Sequence, residues 1–142
     1  MMNGKWGRSA IMLSAILGTA FVLAGPAPTQ ERGRRTAVSA LQPGLWELRD
    51  IDAPGSRPRS ICIADPQSLL QVEHRGSPCS RLVVAADEKS VTVHYTCPSD
   101  GYGLTEVKVE SAQAARIDTQ GIKDNRPFQY RAEARRVRGC SG

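Results

Sequence analysis

The sequence predicts a mainly β domain: a small antiparallel curled sheet, a meander or half-barrel, carrying one short helix and two disulfides. Three observations predict it. Several stretches of the 142-residue chain alternate apolar and polar side chains with a period of two, as strands with one buried and one wet face do. Turn-forming clusters separate them at short intervals, at Ala53–Pro58, Asp87–Ser90, Pro98–Gly103 and Lys123–Pro127. Four cysteines are present with no C-x-x-C pair among them. The length fits one domain, and 40% hydrophobic residues argue against wholesale disorder.

The chain opens on an export signal. Lys5 and Arg8 form a short positive region, and Ala10–Ala24 then runs 15 residues without a charge. That suits a secretory signal and falls short of the roughly 20 apolar residues that span a bilayer. Val22 and Ala24 sit at minus three and minus one for cleavage before Gly25, whereas a cut after Gly25 or Ala27 would leave proline at plus one. No cysteine lies near this junction, which speaks against lipoprotein processing. Residues 1–24 are therefore expected to be a signal peptide cleaved after Ala24. A periplasmic or secreted product with no transmembrane span would remain. Residues 25–40, with two prolines and Arg32, Arg34 and Arg35, read as a flexible linker. Residues 41–142 form the single β-rich domain.

Within the domain the strands follow in order. In Gly44–Ile51, Trp46 and Leu48 oppose Glu47 and Arg49. Arg59–Ile63 is a weaker strand candidate. Asp65–Val72 is the one helical stretch, with Asp65 as N-cap and Pro66 at the first helical position. Arg81–Ala86 is again a weaker strand. Ser90–Cys97 places Val91, Val93, Tyr95 and Cys97 on one face, opposite Thr92, His94 and Thr96. Leu104–Glu110 sets Thr105, Val107 and Val109 against Glu106, Lys108 and Glu110. Ala115–Ile122 follows, and the last strand turns Phe128, Tyr130, Ala132 and Ala134 away from Gln129, Arg131, Glu133 and Arg135.

Charge and chemistry exclude more than they assign. The whole chain carries +5, but without residues 1–24 the balance is 17 basic against 14 acidic, and from Leu41 onward it is 14 against 13. With only five aromatics after residue 24, the domain has neither the basic face nor the stacking platforms of a nucleic-acid binder. Cys62, Cys79, Cys97 and Cys140 lack the closely spaced pairs of a zinc site or a dithiol redox centre, so in an oxidising compartment they read as two disulfides. Of three connectivities the favoured one is Cys62–Cys79, closing the helical excursion, with Cys97–Cys140, tying a central strand to the C-terminus. Loops of those sizes would contribute roughly 3 and 4 kcal/mol. His74, in a Glu-His-Arg-Gly loop, and His94, between two threonines, read as surface histidines without a nucleophile or metal motif. Glu106, Lys108 and Glu110 beside Arg131, Glu133 and Arg135 read as mixed-charge outer faces. Gly101-Tyr102-Gly103 reads as a flexible turn that could carry an exposed aromatic contact. No catalytic residue, metal ligand or cofactor is expected.

One set of markers is specific in combination. Pro43-Gly44-Leu45-Trp46-Glu47 follows the signal, then come Cys62, Asp65-Pro66, Cys79, Cys97 at a strand end, and Arg138-Gly139-Cys140 closing the chain. The set resembles the bacterial exported proteins grouped as domain-of-unknown-function family 3617, across nearly the whole of residues 41–142. The resemblance implies an envelope protein with two disulfides and a β-rich fold, and brings no catalytic residue with it. The basic run Arg135-Arg136-Val137-Arg138 departs from that pattern.

Three functions compete. The first is a non-enzymatic envelope module that binds a small apolar ligand or a protein partner through the mouth or concave face of a curled sheet. The second is an inhibitor or stress-protection protein acting on an envelope hydrolase through a loop such as Pro98–Gly103. The third is an enzyme of unrecognised type built on His94 and a nearby carboxylate.

Overall fold

A computed structural model describes residues 36–141. The expected signal peptide and most of the expected linker lie outside them. The seven strands are β1 (Gly44–Asp50), β2 (Arg59–Ile63), β3 (Ser80–Ala86), β4 (Ser90–Cys97), β5 (Gly101–Ser111), β6 (Ala114–Lys123) and β7 (Arg126–Arg138). They form one antiparallel sheet in the order β2-β1-β7-β6-β5-β4-β3. From β3 to β7 it is a meander of hairpins. The N-terminal strand β1 then docks against the C-terminal β7, and β2 lies outside β1. The sheet is open, with β2 and β3 at its two edges.

The period-two pattern decides which face is buried. Trp46, Leu48, Ile61, Ile63, Val91, Val93, Tyr95, Val107, Ile117, Ala132 and Ala134 all turn inward and belong to one cluster. Two 3-10 segments cover that face. The second, Pro66–His74, starts as the sequence predicts: the Asp65 carboxylate accepts from the Gln67 N–H at 2.9 Å, with Pro66 just inside. It kinks at Gln71, whose side-chain amide donates to the carbonyls of His74 and Ser77 (3.2 and 3.1 Å). Leu69, Leu70 and Val72 supply its apolar cover.

The first segment, Ala37–Ala40, corrects the expected linker at its end. Val38 is fully buried and joins the core with Leu41, because an apolar pair at this position caps β4 and β5. The expected turn at Gly101–Gly103 is corrected as well: these residues begin β5, and the turn is only Pro98–Asp100. Gly103 is needed for close approach, and Gly101 both for close approach and for its positive φ of 120°. A Cβ at Gly103 would strike the Tyr95 phenol, and one at Gly101 would strike the Ile122 carbonyl. The β6–β7 hairpin turns through Asp124 and Asn125, both at positive φ (48° and 63°), the geometry that matches strand twist in a two-residue turn.

All four cysteines are paired, but the favoured connectivity is wrong. The bridges are Cys62–Cys140 and Cys79–Cys97, with Cα separations of 5.7 and 4.1 Å. Register explains both. Leu45 lies opposite Cys62 on one side and opposite Arg138 on the other, so β1 draws the end of the chain toward β2. Ser80 lies opposite Thr96, which leaves Cys79 beside Cys97.

Candidate functional site

The outward face of β3–β7 carries the site candidates. Cross-strand register places Leu82, His94, Leu104, Gln120 and Gln129 directly opposite one another in a single row over five strands. Beside it runs a row of Thr96, Tyr102, Ile122 and Pro127. On its other flank lie Thr92, Glu106, Asp118 and Arg131. Gly121 sits between Gln120 and Ile122 with no side chain, and a depression of about 510 Å³ opens there against His94, Tyr102, Leu104 and Gln129. A second depression, about 400 Å³, shares Leu104, Gln120 and Gln129 with it and reaches Thr92, Glu106 and Asp118. A third, about 240 Å³, continues from Glu106 and Asp118 to Lys108, Arg116 and Arg131. The three join into one shallow trough, aromatic and apolar at the Tyr102 end and charged at the Arg131 end.

Its lining mixes aromatic, amide and charged groups. The His94 and Tyr102 rings lie 6.1 Å apart, tilted, and offer a partly exposed platform. Gln120 and Gln129 add two amides that can both donate and accept. Glu106 and Asp118 face each other across the β5–β6 ladder, with Lys108 at 3.5 Å from Glu106. The charged end is braced by ion pairs, Arg116 with Glu110 at 2.9 Å and Arg131 with Asp52. The Arg131 guanidinium holds the Asp52 carboxyl below its usual range, and Asp52 in turn raises Arg131. Glu106, Lys108, Glu110, Arg131, Glu133 and Arg135 thus occupy the outward faces the alternation predicts. Among the described residues no group of three or more His, Cys, Asp or Glu side chains is placed to hold a metal ion, and no helix is long and apolar enough to cross a membrane.

His94 stands where the sequence places it, on the outward face, and is half-buried. Removing its side chain leaves no buried partner behind, so His94→Ala is expected to shift stability by no more than about 0.5 kcal/mol in a thermal melt.

His74 does not stand where the sequence places it. It is fully buried at the end of the second 3-10 segment. Its Nε2 meets the Asp100 carbonyl at 3.1 Å, which requires the ring proton there; the Tyr95 hydroxyl then donates to Nδ1 at 3.0 Å. Ser77 Oγ holds the Asp100 carboxylate at 2.6 Å, and Thr105 and Thr119 share a hydrogen bond of 2.7 Å beneath. No buried side-chain nitrogen or oxygen among the described residues lacks a partner, so this network holds the fold together, with His74, Tyr95, Thr105 and Thr119 buried and Ser77 and Asp100 half-buried at its edge. The loop reading failed because Asp100 and Tyr95, which enclose the imidazole, are distant in the chain.

Burial pushes the Tyr95 phenol above its ordinary value, against the opposing hydrogen bonds of Thr119 and Thr105. A raised folded-state value means that stability is intact below about pH 10, where unfolded tyrosine begins to ionise, and is lost as pH rises beyond it. Alkaline unfolding followed by circular dichroism should therefore track the appearance of tyrosinate absorbance, and Tyr95→Phe should move the transition to higher pH relative to its own neutral stability.

Leu104, Gln120 and Gln129 could not be singled out from sequence, since only register aligns them with His94 and Tyr102. No protein-family model matches the chain, and neither the curated proteins nor the solved structures contain a significant match to it.

Proposed function

We propose that this chain is an exported, non-enzymatic binding module of the bacterial cell envelope, and that it takes a small ligand in the outward trough. The carrying observation is the row His94–Leu104–Gln120–Gln129 beside Tyr102, which sets an aromatic platform next to amide and carboxylate groups with no serine, cysteine or lysine in that row. A ligand with one apolar face and several hydroxyl or amide groups suits that mixture. The export reading rests on the Lys5–Ala24 signal pattern and the Val22-x-Ala24 site, and is supported by two disulfides, which persist in oxidising compartments. The resemblance to family 3617 points to the same location. The inhibitor reading is less favoured, because the Asp100 end of the Pro98–Asp100 turn is tied down by His74 and Ser77.

Native mass spectrometry of protein purified from its own envelope is expected to show a retained small molecule. The Tyr102→Ala/Gln129→Ala variant should lose it while melting at nearly the wild-type temperature, since Tyr102 is 48% exposed. Retention unaffected by the double substitution would sink the trough as the site. A stable His94→Ala variant that loses a measurable turnover would replace the binding reading with an enzymatic one.

A further inference from the structure

The two edges of the sheet are treated differently by the chain. β2 is short, its Cys62 is bonded to Cys140, and the Cys62 carbonyl accepts from the Arg75 guanidinium at 3.3 Å. β3 has no such cover. Every one of its seven residues is exposed, and Leu82, Val83 and Val84 are 66%, 50% and 58% exposed in succession. The strand Ser80–Ala86 contains neither proline nor lysine; the edge devices it does carry are Arg81, whose Nε donates to Gln71 Oε1 at 2.8 Å, and the register slip at Val84. An apolar run along an unpaired backbone edge is a template for strand addition.

We propose that β3 pairs antiparallel with β3 of a second copy of this chain, about a two-fold axis through Val84. The charge pattern selects this occupant and this register. Arg81 lies three residues before Val84 and Asp87 three residues after it. A two-fold axis at Val84 sets Arg81 opposite the partner's Asp87 at both ends of the ladder. It also sets Leu82 opposite Ala86 and Val83 opposite Ala85, large against small. Moving the axis to Val83 would place Arg81 against alanine, and parallel pairing would place Arg81 against Arg81. Asp87 is held ionised for this role by the backbone N–H groups of Lys89 and Ser90 at 2.8 and 2.7 Å. Val84 itself has no partner residue in β4, because the β3–β4 register slips between Val83 and Ala85. The isologous pairing joins two sheets into one and covers the exposed run on both copies.

Sedimentation equilibrium of the protein with both disulfides formed is expected to show a concentration-dependent monomer–dimer equilibrium. Val84→Lys should leave only monomer at every concentration while melting as the wild-type monomer does, since the side chain is exposed. Directly opposed residues have Cα atoms about 4.5–5.5 Å apart, within disulfide reach. Val84→Cys should accordingly form an intermolecular bridge on oxidation far faster than Leu82→Cys, and a mixture of Leu82→Cys with Ala86→Cys should cross-link as heterodimer. Wild-type protein that stays monomeric throughout, a dimer that survives Val84→Lys, or an edge that binds only an extended peptide of another protein would each overturn the proposal. So would cross-linking that is fastest at a position other than Val84.

Discussion

Replacing Trp46 by alanine is expected to cost about 3–5 kcal/mol, the range for truncating a large buried aromatic. Trp46 is wholly inaccessible, and its neighbours on the inward face include side chains from both 3-10 segments as well as the sheet. Its indole N–H donates to the Gln42 carbonyl at 3.1 Å, and the Gln42 N–H donates to the Ala112 carbonyl at 2.8 Å. The indole thus links the approach to β1 with the β5–β6 turn as well as filling the core. For a domain near a hundred residues the loss corresponds to a fall in melting temperature on the order of 15–30 °C. Trp46→Phe keeps part of the apolar contact but loses the hydrogen bond and leaves a smaller cavity, so it should cost less than Trp46→Ala. A thermal melt of Trp46→Ala within a few degrees of wild type would mean that this ring is not the centre of the core.

The second large effect is expected at Cys62–Cys140. The bridge closes a loop across 78 residues, and the Cys62→Ala/Cys140→Ala variant should lose about 4 kcal/mol if restriction of the unfolded chain dominates. The Cys79→Ala/Cys97→Ala variant opens a separation of only 18 residues and should lose about 3 kcal/mol. Urea titrations of the two double variants compare them directly. Hydrogen exchange adds a local readout: without Cys62–Cys140, the Arg59–Ile63 amides should exchange first, because β2 is an edge strand paired with β1 alone and loses its covalent tie to Cys140. Greater destabilisation from the shorter bridge would show that native-state packing around Cys97, and not loop closure, sets the order.

Much of this fold is legible in the sequence because its strands have one wet face. Val91, Val93 and Tyr95 in β4 and Ala132 and Ala134 in β7 point inward as their alternation predicts. β3 shows the limit: its alternation is weak, and the structure leaves all of it exposed. Gly101 and Gly103 misled because glycine usually marks a turn, whereas here it admits the Tyr95 ring and the β6 backbone. His74 and the disulfide partners misled for one shared reason. Their environments are made by strands far away in the chain, and local spacing carries no trace of which strands will be neighbours. The trough was half legible. His94 and the exposed Tyr102 stood out, but the glutamines that complete their row are ordinary residues until register aligns them.

The nested disulfides have a consequence for the order in which the protein can be made. In an oxidising compartment entered N-terminus first, Cys62 emerges long before Cys140, and the first thiol to follow it is Cys79. The bridge available earliest, Cys62–Cys79, is therefore a non-native one. Cys62 must either stay reduced while the whole β3–β7 meander is delivered, or be released later by thiol–disulfide exchange. β1 is in the same position, since its place in the sheet beside β7 does not exist until the last strand has arrived. Maturation of this chain is thus governed by its C-terminus, and the yield of native protein should depend on a disulfide isomerase more than on an oxidant.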